Sequence, residues 1–594
     1  MFAIEASGIR KSFGKKVVLD GIDLKIEKGS IHAILGPNGS GKTTLIKILS
    51  TLLKADDGHI TLASYNVSEQ PAKVRECISL TGQNASVDEE LTGFENLFLI
   101  ARLMGFKPGE ARQRAHELLQ AFDLKEASGR LVKAYSGGMR RRLDIAASIV
   151  KITDIAFLDE PTTGLDPRGR NALWNIIRNL AKKGTTILLT TQYLDEAEQL
   201  ADKITVINHG KVISEGTTNE LKASVGNNLL HVHLDGVNQS KMDEVLKEIE
   251  LTSGLFIQDQ KKLSFHVTGQ KQAITILGEL EKIKVPIAAF NLSRPDLNEV
   301  FLSLTGDQRS SDSGEDNPEI AADYSPDDLS STKILDHARP AQQSGFLSNK
   351  FMFGWRNLIK IKHIPEQFVD ALITPIMFTF MFTYIFGGAL AGSTKSYLQF
   401  FIPGILVQTM AFNSMYAGIN INNDISKGIF DRFRSMPIWL PAPLSGIIIG
   451  DFFRHLISGS LVLIFAFILG FRTDAGIPAI AGSFLIIILF AISLSWFFII
   501  MGLTMRSVSA VMSFGWIILM PLVFMSNIFA DPSTMPGWLQ SFIKYNPLAW
   551  QVEAVRGLLA GDFPVRKILI AVSASLGISA VLFPLTVWFY KKER

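Results

Sequence analysis

Six apolar segments in the second half of the chain limit what it can fold into more than any other feature: residues 368–386, 399–419, 445–471, 477–501, 508–528 and 568–590. Each is near the roughly 20 residues that a helix needs to cross a bilayer. Residues 532–565, between the fifth and sixth, are too polar for a simple span but carry Met535, Trp538, Phe542, Trp550 and Leu558, which fits short interfacial or re-entrant helices. Lys427, Arg432 and Arg434 follow the second segment, Arg506 the fourth, and Lys591, Lys592 and Arg594 the sixth. Basic residues favour the cytoplasmic side, so both termini are expected there, although Lys544, Arg556, Arg566 and Lys567 then fall outside.

The first half has a different solvent. A chain of 594 residues exceeds one compact core. Apolar runs at 31–35, 155–158, 186–190 and 204–207 read as buried strands, alternating with helical periodicity at 43–53, 111–121 and 167–182. This alternation predicts a mostly parallel sheet covered by helices. Residues 221–305 form an expected small α/β appendage, with strands at 229–234 and 263–267 and helices at 240–249 and 270–282. Residues 306–345 are rich in Ser, Asp, Glu and Pro and cannot bury enough surface to offset chain entropy, so an acidic flexible linker is expected. At 346–362, Phe351, Trp355, Leu358 and Ile359 recur at helical spacing beside Lys350, Arg356, Lys360 and Lys362, the pattern of a helix lying in the membrane interface or of an ordinary surface helix. Residues 1–29 hold no long apolar core, so no cleaved signal is expected. Cys77 is the only cysteine, which excludes an intrachain disulfide framework and fits a reducing compartment. The net charge of +3 gives no argument for binding nucleic acid.

Gly36-Pro37-Asn38-Gly39-Ser40-Gly41-Lys42-Thr43 follows the strand at 31–35 and precedes a helix, the context in which a glycine-rich loop turns backbone N–H groups toward phosphates. Lys42 is expected to reach the outer phosphates of ATP, Thr43 to complete a Mg²⁺ shell, and Thr44 to lie within the same phosphate cradle. Downstream, the strand at 155–158 runs into Asp159-Glu160. Asp159 is placed to hold Mg²⁺ through water, and Glu160 to orient or deprotonate the attacking water.

Tyr135-Ser136-Gly137-Gly138-Met139-Arg140 resembles the LSGGQ signature of ABC ATPases, with Tyr and Met at the outer positions. The resemblance extends in order to Phe13 at the adenine-stacking position, Gln83 at the Q-loop (a further Mg²⁺ contact), and Gly164-Leu165-Asp166 at the D-loop. The whole chain then reads as an α/β P-loop ABC domain over 1–220, an extension over 221–305, a linker over 306–345, an interfacial helix over 346–362 and an all-α transmembrane domain of six spans over 363–594. One departure is chemical. The family's switch histidine is replaced by Gln192, whose amide can donate to a γ-phosphate but carries neither proton nor charge.

Residues 81–89, 135–150, 189–204 and 296–306 resemble the ATPase subunits of daunorubicin-type drug-resistance exporters, Gln192 included, and the membrane half resembles type-2 ABC exporter permeases. The resemblance implies ATP sandwiched between the P-loop of one cassette and Ser136, Gly137 and Gly138 of another. One of each per chain implies a homodimer, or a heterodimer with a related half-transporter. The loop at 427–439, with Ile429, Phe430, Phe433, Met436 and Ile438, resembles the coupling helix that docks near the Q-loop. Asn413, Asn420, Asn422 and Asn423, and Asp451, Arg454 and His455, are polar residues at or near the spans, marking either a pathway or an interfacial cluster that pairs within itself. The expected function is ATP-driven export of a hydrophobic or amphipathic small molecule across the cytoplasmic membrane, in contact with membrane lipids. Lipid or glycolipid export, and an ATP-driven sensing complex, are the alternatives.

Overall fold

The structure is a computed structural model that describes residues 1–224, 228–234, 255–259, 262–267, 270–282, 287–293, 297, 300–301, 345–364 and 366–592. The expected helix at 240–249 and nearly all of the expected linker lie outside the described residues. The chain forms two compact units, Met1–Gln83 with Ile152–Ala338, and Asn84–Lys151 with Arg339–Arg594.

The first unit begins with β1 (Phe2–Phe13), β2 (Lys16–Glu27), β3 (Ile31–Leu35), α1 (Lys42–Leu49), β4 (Asp57–Leu62), β5 (Tyr65–Asn66), α2 (Pro71–Cys77) and β6 (Ile78–Thr81). Three helices that belong to the second unit follow in sequence: α3 (Gly93–Leu103), α4 (Pro108–Ala121) and α5 (Gly137–Ser148). The chain then returns through β7 (Ile155–Asp159), α6 (Pro167–Lys182), β8 (Thr186–Thr191), α7 (Leu194–Leu200), β9 (Lys203–Asn208), β10 (Lys211–Gly216) and α8 (Thr218–Ser224). β10-β9-β3-β8-β7-β6 is one sheet, parallel except for β10. Every residue of β3, β7 and β8 is buried, which explains their continuous apolar runs, since a parallel sheet is covered on both faces.

A second sheet, β2-β1-β4-β5, is antiparallel and was not anticipated from the sequence. Its strands alternate, with Ile4, Ala6, Leu24 and Ile26 inward and Glu5, Lys25 and Glu27 outward. Leu45, Ile46 and Leu49 of α1 share a core with these strands and with Ile34, Phe157 and Leu188. Each such fully buried side chain contributes about 1.5–3 kcal/mol. The extension adds an antiparallel sheet of β11 (Asn228–Leu234), β12 (Leu255–Asp259), β13 (Lys262–Val267) and β14 (Ile287–Ser293), with α9 (Gln270–Lys282) packed on it through Ala273, Ile276 and Leu280. Leu297, Val300 and Phe301 line a cleft with Leu35, Ile204, Val206 and Leu221, placing the extension's C-terminal end beside the central sheet.

The second unit continues with α10 (Phe346–His363), α11 (Glu366–Met381), a π-helical turn at Phe382–Phe386, α12 (Gly387–Ala391), α13 (Thr394–Asn413), α14 (Met415–Ser426), α15 (Ile429–Ser435), α16 (Ala442–Leu469), α17 (Ile477–Thr504), α18 (Val508–Phe524), α19 (Gly537–Tyr545), α20 (Pro547–Ala560) and α21 (Val565–Lys591). Among the described residues, four helical stretches are long and apolar enough to cross a membrane: Ile373–Ala391, α16, α17 and α21. The apolar α18 is shorter. The segment read as a single second span is broken between α13 and α14 at Ser414, whose hydroxyl donates to the carbonyls of Met410 and Ala491. Such back-bonding from a helical serine bends a helix. The stretch at 532–565 is a pair of short helices, α19 and α20.

Helices approach to backbone contact at glycines. A Cβ on Gly418 of α14 would stand 2.3 Å from the carbonyl oxygen of Phe498 in α17, and one on Gly446 of α16 would stand 2.3 Å from Cβ of Phe353 in α10. Within α16, Arg454 pairs with Asp451 at 2.8 Å and lies 5.1 Å from the Tyr416 ring centroid, while Ser495 donates to the other Asp451 oxygen at 2.9 Å. His455 is fully buried, and neither ring nitrogen has a hydrogen-bond partner among the described residues. Of the three ionisable residues expected there, two pair with each other and the third stands apart.

Candidate nucleotide site and the signature helix

β3 ends at Leu35, and the chain turns through Gly36–Gly41 into α1. Gly41 caps the helix at φ 109°, and a Cβ there would meet the Leu19 side chain at 2.6 Å, so only glycine fits. The Lys42 ammonium is buried and donates to the carbonyls of Gly36 (2.7 Å) and Pro37 (3.1 Å), inside the loop it would share with a phosphate. Burial lowers its pKa, opposed by Glu160 and Asp159 nearby. Ser40 is buried, with its hydroxyl unpartnered among the described residues. An orphaned hydroxyl and a buried cation aimed into a glycine turn at a helix N-terminus are what an anionic polyphosphate would satisfy. Thr43 and Thr44 lie half-buried in the first turn of α1.

Asp159 ends β7 and is held by the Thr190 hydroxyl of β8. Glu160 follows at φ 49°, a left-handed conformation that a non-glycine residue rarely adopts. Its backbone N–H donates to the Thr190 carbonyl at 3.0 Å, which pins the turn. Backbone strain of this kind persists where neighbouring structure enforces it, commonly at functional sites. Gln192 is exposed just past the end of β8, and Gln83 is exposed two residues beyond β6. Phe13, at the tip of the β1–β2 hairpin, is 48% exposed, leaving a ring face open for stacking. Asp166 is the N-cap of α6 and accepts from the Gly169 N–H at 3.1 Å. Asp159, Thr43 and Gln83 offer oxygen donors, and the described residues contain no cluster of three His, Cys, Asp or Glu side chains. That set suits Mg²⁺, which keeps waters and phosphate oxygens as most of its ligands.

In the second unit, Ser136 is the N-cap of α5 and accepts from the Met139 N–H at 3.2 Å, with Gly137 and Gly138 opening the helix. Tyr135, in the place where the signature usually has leucine, is buried and donates its hydroxyl to the Ala127 carbonyl at 2.6 Å, so the added oxygen is satisfied. α5 is also the surface on which α15 docks. Arg432 of α15 donates to the Asp144 carboxylate at 2.6 Å and to its carbonyl at 2.8 Å. Glu89 bridges Arg140 and Lys427 at 2.6 Å each, and this pairing, Lys427 first, holds its carboxyl below the usual range. A Cβ on Gly428 would stand 2.9 Å from the Ser86 hydroxyl, so the loop at 427–439 meets the segment that follows Gln83 in sequence.

Arg356 and Lys360 of α10, expected on the polar side of an interfacial or ordinary surface helix, are both turned inward. Arg356 is 1% exposed, bidentate to Asp424 at 2.7 Å and paired with Asp88 at 2.6 Å, with Lys360 reaching Asp88 at 2.9 Å. Sequence reasoning passed over Asp88, Glu89, Asp144 and Glu196. Their signal was a run of acids after Gln83 and two acids on buried helix faces, which is indistinguishable from solvated charge without the partners.

The contact between α15 and α5 is testable. Arg432→Met leaves the fully buried Asp144 without its closest cation and is expected to lower transport about tenfold, whereas Arg434→Met, from the half-exposed neighbour, stays within about twofold. Transport in reconstituted vesicles, with nucleotide binding as the folding control, checks it.

A P-loop sheet with its two strand-end carboxylates, a capped signature helix and a membrane-type helical domain together define an ATPase built to drive transport. Residues 19–163 match the family described as ABC transporter, 351–560 the ABC-2 type transporter, and 216–305 the ATP-binding protein DrrA1-3-like, C-terminal domain. Over 325 residues the chain is 49% identical to the daunorubicin/doxorubicin resistance ATP-binding protein DrrA of Streptomyces peucetius, covering 54% of this chain and 98% of that protein. Over 255 residues it is 39% identical to the daunorubicin resistance ABC transporter permease protein DrrB1 of Streptomyces coeruleorubidus, covering 43% of this chain and 90% of that one. The chain belongs to the ABC transporter family, as a DrrA-like ATPase and an ABC-2 type membrane domain in one polypeptide. It is a membrane-embedded protein that binds ATP and couples its hydrolysis to transport.

Proposed function

We propose that this chain exports a hydrophobic or amphipathic drug-type molecule across the cytoplasmic membrane as a homodimer. The observation that carries the reading is that two separate drug-resistance proteins, an ATP-binding protein and a permease, are matched by successive halves of this one chain. One P-loop and one signature helix per chain supply two half-sites, so two copies complete two sites. Six spans per chain are proposed by counting the broken α13–α14 pair and the short α18 with the four longer stretches. The cassette and both termini are assigned to the cytoplasm, where ATP is found.

In this reading Phe13 stacks on adenine, and the Gly36–Thr44 loop cradles the phosphates with Lys42 on the outer ones. Thr43, Gln83 and Asp159 hold Mg²⁺, which when bound neutralises charge on the phosphates. Glu160 takes the proton of the attacking water, and Gln192 donates its amide to the terminal phosphate. Ser136, Gly137 and Gly138 of the second copy close over the nucleotide, with Asp166 at the seam.

Proteoliposomes holding the full chain are expected to accumulate daunorubicin only with ATP and Mg²⁺, with ATPase activity rising in step, and to lose both in Lys42→Ala. Absence of uptake across a panel of apolar amphiphiles, with hydrolysis intact, sinks the export reading. Uptake of a fluorescent lipid in place of every drug reassigns the substrate to the lipid class.

A further inference from the structure

Glu196 lies in α7, four residues beyond Gln192, and is 1% exposed. One carboxylate oxygen accepts from the Trp174 indole N–H of α6 at 3.4 Å. The other oxygen, the Thr162 hydroxyl and the Arg170 Nε are all buried without a hydrogen-bond partner among the described residues. Burial pushes the carboxyl up, against the nearby hydroxyls of Thr191 and Thr162, the Trp174 indole and the Arg170 charge. The Arg170 guanidinium lies 5.3 Å from the Tyr193 ring centroid. Three pieces of the site therefore meet at one buried acid. Thr162 follows Glu160 by two residues, Thr191 immediately precedes Gln192, and Arg170 and Trp174 belong to the helix that Asp166 caps.

The unpartnered atoms are complementary, two donors and one acceptor. Each such buried atom is left with its desolvation uncompensated while unpaired. Of the two donors, only the Thr162 hydroxyl is carried by the loop at 160–166, so a closer approach of that loop to α7 would pair it with the second Glu196 oxygen. The need for outside placement comes with the neutral side chain at position 192. A charged histidine is drawn to a phosphate by Coulomb attraction, whereas the neutral Gln192 amide depends on where its turn is held.

We infer that Glu196 is a positioning residue for hydrolysis, holding the turn that carries Gln192 against the loop that carries Glu160 and Asp166. The inference rests on the reading that Gln192 and Glu160 act at the terminal phosphate of ATP.

Steady-state ATPase kinetics of the full chain in lipid nanodiscs test it. Glu196→Leu is expected to lower kcat about tenfold with KM for ATP within about twofold, because nucleotide binding does not use this contact. Glu196→Gln keeps the shape and one of the two accepting oxygens and is expected to stay within about threefold of the parent. Thr162→Val removes one hydroxyl from the other end of the contact and is expected to lower kcat about threefold, with KM unmoved; it carries the test if Glu196→Leu does not fold. Parent-like kcat in both Leu and Val variants overturns the inference, as does a rise in KM that accounts for the whole loss in kcat/KM. Gln192→Ala separates the two levels. A parent-like rate there overturns the site reading and the inference together, while a lost rate there beside an intact Glu196→Leu overturns the inference alone.

Discussion

Replacing Glu160 by glutamine is expected to stop ATP turnover and transport while leaving ATP bound, with a fall in hydrolysis rate of about 10²–10³-fold. The amide keeps the side chain's shape, and the backbone N–H that donates to the Thr190 carbonyl at the left-handed turn (φ 49°) is unchanged, so the local fold survives. What is lost is the group that accepts a proton from water. No other described residue can replace it simply. Asp159 is engaged by the Thr190 hydroxyl, and Gln192 has no basic nitrogen. Single-turnover hydrolysis with nucleotide-binding affinity measured in parallel checks this; a variant that keeps more than a tenth of the parent rate removes Glu160 from the role of base.

Arg356→Met is expected to destabilise the second unit by about 3–5 kcal/mol, the usual consequence of removing one partner from a buried ion pair. Both carboxylates it holds, Asp88 and Asp424, are themselves buried. Burial alone would raise the Asp88 carboxyl, but Arg356 and Lys360 beside it hold it well below the usual carboxylate range. Its folded pKa being depressed, the stability it contributes is complete above the ordinary carboxylate value and is lost only as pH falls toward strong acid. The variant should therefore lose midpoint stability in detergent at neutral pH and, below the ordinary carboxylate range, show less acid sensitivity than the parent. Adding Asp88→Asn and Asp424→Asn to Arg356→Met should recover only part of the loss, since Lys360 then keeps Glu90, at 3.3 Å, as its one acidic partner among these. An Arg356→Met midpoint equal to the parent's would show that the triad contributes nothing net.

These two predictions draw on parts of the molecule that were unequally visible in the sequence. Glu160 and the P-loop were legible because parallel strands buried on both faces give unbroken apolar runs, and the chemistry sits at their ends. The antiparallel β1–β2–β4 sheet was missed because half of its residues face outward, so no run forms. The triad was missed for a different reason. Arg356 sits at helical spacing beside apolar residues, a pattern shared by a cation facing lipid headgroups and one facing a carboxylate, and only Asp424 and Asp88, 68 and 268 positions away, tell them apart. The break at Ser414 was invisible because a serine within an apolar segment is ordinary until its hydroxyl is seen bonded to Met410 and Ala491.

The glycine contacts also bear on how the membrane domain can deform. Gly418 and Gly502 set α14 and α17 backbone to backbone, and Asn422 donates to the carbonyls of Gly502 and Met505 at 2.9 and 2.8 Å. Gly446 and Gly450 set α16 against Phe353 and Asn357 of α10 in the same way. Few side chains reach into these contacts, chiefly Ile421 and Asn422 of α14 and Phe353 and Asn357 of α10, so each pair behaves as a stiff plank. Two residues, Lys427 and Gly428, separate the docked helix α15 from the first plank, so a load taken up at α15 passes along it with little give. Bending is left to the joints that are not glycine-welded, above all the hinge at Ser414.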